Sequence, residues 1–373
     1  MLAPMAPKTS SRSPRWPAAP VLVRQVRNGV VESVHRGDIV EADAAGRPIH
    51  ALGEMERLVN LRSAVKPFGL VALLRAGGRA EFDLTSEELA VMCSSHSGED
   101  LHVRTIMALH RRAGVSAASL SCGADVTPID PLTAARLSRD GERPSQLRHM
   151  CSGQHTSFLL LAKMGGWDPD TYWQEDHPAH EAFVDAVADC FGVRRTVLVM
   201  GTDACGIATF AFPLREIAGA YAFLADPLAV PSVDPRSHVA RHLLEVRDAM
   251  VAHPELVAGT RDRLDTSLMK AVPGHLVVKG GAEGFTGVGI LPGAKGEGST
   301  ASGLALKIED GAANDRGPWA ATVEALAQVG VLGGQPLRML ARYHTPPAMD
   351  PRGAVVAEAT ADFELAPLGE LAR

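Results

Sequence analysis

Apolar and polar positions alternate near both ends of the chain and fall into helical periods between them. Val21-Leu22-Val23-Arg24-Gln25-Val26 reads as a strand, Asn28-Gly29 as a hairpin turn, and Val30-Val31-Glu32-Ser33-Val34 as the returning strand. Arg36-Gly37-Asp38 predicts another turn before a strand over Ile39-Val40-Glu41-Ala42. Thr85-Ser86-Glu87-Glu88 has the form of a capping box and starts a helix running from Ser86 towards Cys93. It empties into Ser94-Ser95-His96-Ser97-Gly98-Glu99, a run of small polar residues expected to lie outside the core. Further helices are predicted over His102 to Arg112, stopped near Gly114, over Ser157 to Met164, from Pro178 to Gly192, and over Val239 to Ala252. Thr196 to Met200 reads as a buried strand, and residues 115 to 148 show no clear period. Strands return at His275 to Gly281, Gly287 to Ile290 and Gly303 to Ile308, before a closing helix from about Trp319 to Gly330.

Sheet, then helices, then sheet implies one antiparallel sheet assembled from both chain ends, flanked by helices, with a helical lobe inserted. The predicted class is α/β (α+β). It is one unit over residues 21–365, with a sheet lobe at 21–60 and 270–365, a helical lobe at 61–269, and a tail at 366–373. A chain of 373 residues has ample material for such a core, and 46% hydrophobic with 21% charged residues excludes wholesale disorder. A formal net charge of -6 without a dense basic run argues against nucleic acid as a partner. No apolar stretch reaches bilayer length, so no membrane span is expected. Residues 1–20 are rich in Pro, Ser, Lys and Arg, lack an apolar signal core, and read as a disordered lead. Five cysteines at irregular spacing suit a reducing compartment, so the expected address is cytoplasmic.

Candidate chemistry centres on Arg62-Ser63-Ala64-Val65-Lys66-Pro67. Residues three apart on a helix share a face, so a hydroxyl at 63 and an amine at 66 can meet. Pro67 needs the first turn of a helix, which places Ser63 at or just before its start. The following Phe68-Gly69-Leu70-Val71-Ala72-Leu73-Leu74 is apolar enough to be interior, so the pair is expected to be partly desolvated beside the positive helix end. Both effects disfavour an ammonium at Lys66 and leave a free amine to activate Ser63. For that role the Lys66 pKa must fall from about 10.4 to roughly 7–8, a differential penalty of some 3–5 kcal/mol.

Two more segments join this one: the Ser95-His96-Ser97 turn and Lys279-Gly280-Gly281 at a strand end. Their order resembles the Ser-x-x-Lys, Ser-Asp-Asn and Lys-Thr-Gly elements of serine β-lactamases and penicillin-binding proteins. The whole span from about 21 to 365 also resembles the bacterial asparaginase II family, the Rhizobium-type thermolabile L-asparaginases. The likeness is carried by Val31-Glu32-Ser33-Val34-His35-Arg36-Gly37, Arg62 to Pro67, Ser95-His96-Ser97-Gly98-Glu99, Cys151-Ser152-Gly153-x-His155 and Asp203-x-Cys205-Gly206. It continues in His253-Pro254-Glu255-Leu256-Val257-Ala258-Gly259, Lys279-Gly280-Gly281-Ala282-Glu283-Gly284 and Ala305-Leu306-Lys307-Ile308-Glu309-Asp310-Gly311.

The resemblance implies a serine β-lactamase-like or glutaminase-like fold, a homodimer, a small-molecule amide substrate and two Ser–Lys pairs, Ser63 with Lys66 and Ser95 with Lys279. In the implied mechanism Ser63 attacks the carboxamide, Lys66 takes its proton, and Ser95 relays protons towards the departing ammonia. Backbone donors at Ser63 and beside Gly280-Gly281 would hold the oxyanion. Arg62, His96, Gln154, His155, Asp203, Gly280 and Gly281 are the implied substrate-binding positions.

The family pattern also implies zinc on two cysteines and a lysine. Cys151 and Cys205 match, but Gln154 stands at the lysine position, and a neutral amide is a poor zinc ligand. The expectation is therefore that no cofactor is required and that no tight zinc is held, the thiols packing as small apolar groups. Met150, Thr156-Ser157-Phe158 and Ala204 also depart from the family pattern around the same place. The alternatives to an asparagine-type amidohydrolase are an acyltransferase or amide-forming enzyme using the same serine, a penicillin-recognising enzyme, and a silent metabolite-binding homologue.

Overall fold

The computed structural model describes residues 17–124, 126–311 and 315–368. The opening alternation forms a hairpin of β1 (Val21–Arg27) and β2 (Val30–Ala42). It turns at Asn28-Gly29, both with positive φ (47° and 76°), as a two-residue turn between right-twisted strands requires. The turn expected at Arg36-Gly37-Asp38 does not occur. β2 runs straight through and changes partners there, pairing with β1 as far as Arg36 and with β9 (Ser302–Ile308) from Gly37 onward. Gly37 serves close approach, since a Cβ there would lie 2.3 Å from the Lys307 carbonyl oxygen.

β3 (Pro48–Leu52) pairs with the second half of β2, while β4 (Leu58–Asn60) leaves this sheet. It joins β5 (Val199–Thr202) and β6 (Ala208–Pro213) in a small antiparallel sheet of order β4-β6-β5. The large sheet is completed from the other chain end by β7 (Leu276–Gly281), β8 (Phe285–Ile290), β9, β10 (Pro347–Met349), β11 (Val355–Ala361) and β12 (Ala366–Pro367). Its order is β10-β11-β1-β2-β9-β8-β7, with β3 and β12 attached beside β2, and every pairing is antiparallel. The mixed α/β class and the assembly of one sheet from both chain ends are as predicted.

Four boundaries differ from expectation. Residues 1–16 of the expected disordered lead lie outside the described residues, but its last two residues are packed: Ala19 is buried, and the Pro20 carbonyl accepts from the Gly37 amide at 3.0 Å. Ala366 and Pro367, assigned to the tail, pair with β3. The strand expected to be buried over Thr196 to Met200 is instead a 3-10 turn, Arg195–Val197, followed by the exposed edge strand β5. An apolar run does not reveal whether anything covers it, and β5 has a strand neighbour on one side only. Ser94 to Glu99 is buried throughout rather than solvent-facing. Apart from the Ser94 hydroxyl, its polar groups find partners inside: Ser97 Oγ donates to the Ala258 carbonyl at 2.9 Å, and Glu99 accepts from the Thr260 amide at 2.8 Å.

The helices follow their sequence signals except one: the helix expected over Ser157 to Met164 starts earlier and runs over Ser152–Gly165, taking in Gln154 and His155. Thr85 and Glu88 form the reciprocal capping box of Ser86–Met92, and Gly114 closes Asp100–Ala113. Pro178 heads Pro178–Phe191, and Ala240–Ala252 and Arg316–Gln328 lie within two or three residues of their predicted limits. No helix among the described residues is long and apolar enough to cross a membrane.

One helix decides where the site sits. Leu214–Ala225 is apolar, almost wholly buried, and lies across the large sheet. Gly303 on β9 admits it: a Cβ there would stand 2.0 Å from the Ala218 carbonyl oxygen and 2.4 Å from the Ala222 amide. Both are backbone atoms that cannot swing aside. Gly303→Ala is expected to destabilise the protein by about 1–3 kcal/mol or more through overpacking. Urea unfolding would show a lowered midpoint, and an unchanged midpoint would refute the close approach.

Candidate active site

Ser63 lies in a 3-10 turn, Arg62–Val65, that runs directly into the helix Lys66–Arg75 with Pro67 in its first turn. This is the placement the proline demanded. Arg62 just before it is in the left-handed region (φ 49°), an uncommon conformation for a residue with a Cβ. Three contacts hold it there. The Arg62 amide donates to Thr209 Oγ1 at 3.0 Å, and its Nε and Nη2 donate to Asp203 Oδ1 at 3.0 and 2.8 Å. Asp203 therefore acts through Arg62, fixing the bend that presents Ser63. From below, the buried Tyr221 hydroxyl of the Leu214–Ala225 helix donates to the Ala64 carbonyl at 2.9 Å.

Lys66 is buried, and its Nζ points away from the expected partner. It donates to the Ser94 carbonyl at 2.7 Å, to Ser95 Oγ at 3.2 Å and to Cys151 Sγ at 3.2 Å; Ser63 is not among its contacts. Lys279, on β7 and fully buried, reaches the same Ser95 Oγ at 2.9 Å and the Gly280 carbonyl at 2.7 Å. Two amines thus converge on one hydroxyl. Burial pushes the Lys279 amine down to about 7; the nearby Asp265 carboxylate opposes the shift, and the charges of Lys66 and Arg263 add to it.

Ser63 and Ser95 line one cavity of about 360 Å³ with Gly280 and Gly281, so four of the predicted residues meet there. The two lysines support Ser95 from behind. The other predicted substrate-binding residues do not line it. His96 is fully buried, stacked on His102 with ring centroids 4.7 Å apart; its Nδ1 accepts from the Gly98 amide, and its Nε2 bonds Ser152 Oγ at 2.8 Å. Burial and the neighbouring His102 push its pKa well below the usual range, so it is a neutral structural ring. His155 is likewise fully buried and bonds the Tyr172 hydroxyl through Nδ1 at 2.6 Å, and Gln154 is buried in the same helix. Arg62 and Asp203 hold each other. The Gly280 amide, expected as an oxyanion donor, instead donates to Asp265 Oδ2 at 2.9 Å.

Sequence reasoning missed Asp265 and Arg263, both of which line the cavity. Asp265 is in the first turn of the helix Leu264–Ala271. There an acidic residue is the commonplace answer to the helix dipole, so its type and position carried no distinctive signal.

The model of the family described as L-asparaginase II matches residues 23–361. This chain belongs to that family. Membership makes it an amidohydrolase, an enzyme of amide C–N hydrolysis. No curated protein sequence matches it significantly. Among solved structures it is similar to Mglu at 16% identity, covering 80% of this chain and 68% of that one with a TM-score of 0.40. It is also similar to a probable glutaminase from Bacillus subtilis complexed with 6-diazo-5-oxo-L-norleucine, at 13% identity over 77% of this chain and 84% of that one, with a TM-score of 0.34. Both are loose likenesses.

The zinc that the L-asparaginase II resemblance implied has a poor donor set here. A hydrogen bond from the Cys205 thiol pushes Cys151 well below the usual thiol range against the cost of burial, helped by the charge of Lys66; Cys205 is pushed up in turn. Beside these two thiols stands His149, whose Nδ1 already accepts from the Cys151 amide at 3.0 Å. Asp203 is held by Arg62, His155 by Tyr172, and no group of three His, Cys, Asp or Glu side chains suited to a metal occurs among the described residues. A structural zinc needs four closed ligands, and two thiols with a neutral amide do not supply them. We therefore expect elemental analysis of protein purified without added zinc to find well below one equivalent; stoichiometric zinc would overturn this reading.

Proposed function

We propose that this L-asparaginase II family member hydrolyses the side-chain amide of L-asparagine or a related small primary amide through an acyl-enzyme on Ser63. The observation that carries the reading is the shared cavity of Ser63 and Ser95, with Ser95 Oγ within bonding reach of both Lys66 Nζ and Lys279 Nζ. Lys279 is the better base, because burial depresses its pKa and leaves a share of free amine near neutrality. Lys66 Nζ is anchored by three contacts, the Ser94 carbonyl, Ser95 Oγ and Cys151 Sγ. That anchored amine orients the Ser95 hydroxyl.

Ser63 Oγ attacks the carboxamide carbon while its proton passes through Ser95 to Lys279. The Ser63 amide, in the first helical turn where backbone donors lack partners, faces the developing oxyanion. The C–N bond then breaks as the proton returns from Lys279 through Ser95 to the leaving nitrogen, which departs as ammonia. Water attacks the ester by the same route, Lys279 taking its proton and returning it to Ser63. The test is ammonia release from a panel of primary amides, combined with acid quenching and peptide mapping by mass spectrometry. An acyl adduct on the peptide bearing Ser63 is expected. An adduct confined to another peptide would refute the assignment of nucleophile.

A further inference from the structure

The buried Lys279 amine has two other basic side chains as neighbours. Lys66 shares the Ser95 hydroxyl with it, at 3.2 Å against 2.9 Å, and Arg263 donates to the Ser95 carbonyl at 3.0 Å. Cys93 and Tyr221 also lie close, but burial pushes both upward, so neither supplies a negative charge. Of the two negative groups that act on Lys279, the Asp265 carboxylate is the stronger and the Cys151 sulfur the weaker.

Asp265 meets this amine through Gly280. It stands in the first turn of the helix Leu264–Ala271, just after Arg263 at the N-cap, so one helix start presents a cation and an anion to the same pocket. Asp265 is only 7% exposed, and its Oδ2 accepts from the Gly280 amide at 2.9 Å. The carbonyl of the same glycine accepts from Lys279 Nζ at 2.7 Å. Gly280 thus binds the carboxylate through its N–H and the amine through its C=O. Its lack of a side chain admits the carboxylate, since a Cβ there would lie 3.2 Å from Asp265 Oδ1.

The proposed reaction asks two things of the amine. It must be free to take the Ser63 proton, and it must then hold that proton until the leaving nitrogen receives it. Burial and neighbouring cations serve the first demand and oppose the second. A lysine depressed by both without compensation would be too weak a base, because proton transfer is most efficient when the pKa lies near the working pH.

We infer that Asp265 is a positioning residue that acts through Lys279: it fixes the glycine that anchors the amine and supplies the negative charge that lets the amine keep a proton. This rests on the proposed role of Lys279 as the base and names the group that tunes it.

The pH dependence of Asp265→Asn tests it. Asparagine has nearly the same volume and keeps an oxygen for the Gly280 amide, so the charge alone is removed. Losing an opposite charge disfavours the ammonium, so the acid limb of kcat/KM should move from about 7 to about 6. Activity at pH 6 relative to pH 8 should rise from about one tenth to about one half, and the plateau should fall about threefold because the base is weaker. A packing defect would lower the whole profile without moving its midpoint. Asp265→Ser, smaller and equally uncharged, gives the same comparison if Asp265→Asn does not fold. A midpoint that stays in place or rises would overturn the inference. The same titration is read without substrate by carbon-13 NMR of protein labelled at lysine Cε, the Lys279 signal being the one missing in Lys279→Met. If no amide releases ammonia, the hydrolytic reading fails, and the NMR titration decides the role of Asp265 by itself. A lower Lys279 midpoint in Asp265→Asn would uphold it, and an unchanged or higher one would end it.

Discussion

Ser63→Ala should lower kcat for the true substrate by about 10⁴-fold or more, the scale on which removing an enzyme's nucleophile acts. The loss follows from the covalent step: without Oγ no ester forms, and water must attack an unactivated amide. KM should change little, because the Ser63 hydroxyl makes no hydrogen bond to any described residue that would shape the cavity. Folding should also be unaffected, since the turn is held by Arg62, Thr209, Asp203 and Tyr221 rather than by Ser63. Thermal unfolding beside steady-state kinetics checks both points. Turnover within a few fold of wild type would remove Ser63 from the mechanism. Ser95→Ala should cost less, about 10²–10⁴-fold, because it breaks a proton path while leaving the nucleophile in place.

Lys279→Met tests the base. Methionine is unbranched and fills the buried lysine site without a charge, and kcat/KM should fall by about 10²–10⁴-fold. The pH dependence separates this from a packing defect. The active form of Lys279 is the free amine, and its pKa is about 7. Activity should therefore rise with pH through about 7, falling nearly tenfold per unit on the acid side as the amine is protonated. The variant's residual activity should lose that acid limb. A variant that kept the same acid limb would show that another group carries the proton. Lys66→Met should weaken catalysis without removing the limb, since the contact that positions Ser95 goes while the titrating amine of Lys279 stays.

Most of the scaffold was legible from local patterns because its causes are local. Asn28-Gly29 forces a hairpin turn, Thr85 and Glu88 satisfy each other's backbone amides, and Pro67 can sit only in a first helical turn. The same holds for the reactive residue types. Motif order and family likeness single out Ser63, Ser95, Lys66 and Lys279 as candidates, before any contact between them is known.

Pairings and burial were decided by parts of the chain far apart in sequence. Gly37 looks like a turn residue until β9 is laid against it, and Ser94 to Glu99 looks solvent-facing until Ala258, Thr260 and Arg263 supply its hydrogen bonds. The spacing of Ser63 and Lys66 predicts a bonded pair, yet the 3-10 turn and the neighbouring Ser94 carbonyl draw the Lys66 amine towards Ser95. His96 and His155 became structural rings because interior partners claimed their nitrogens, and Asp265 entered the site because the Leu264–Ala271 helix packs on β7. What the amino-acid order determined alone was the inventory of strands, helices and reactive groups, since propensity, capping and chirality act over a few residues. What only the tertiary structure decided was which amine meets which hydroxyl and at what charge, because desolvation and hydrogen bonding depend on everything that closes around a side chain.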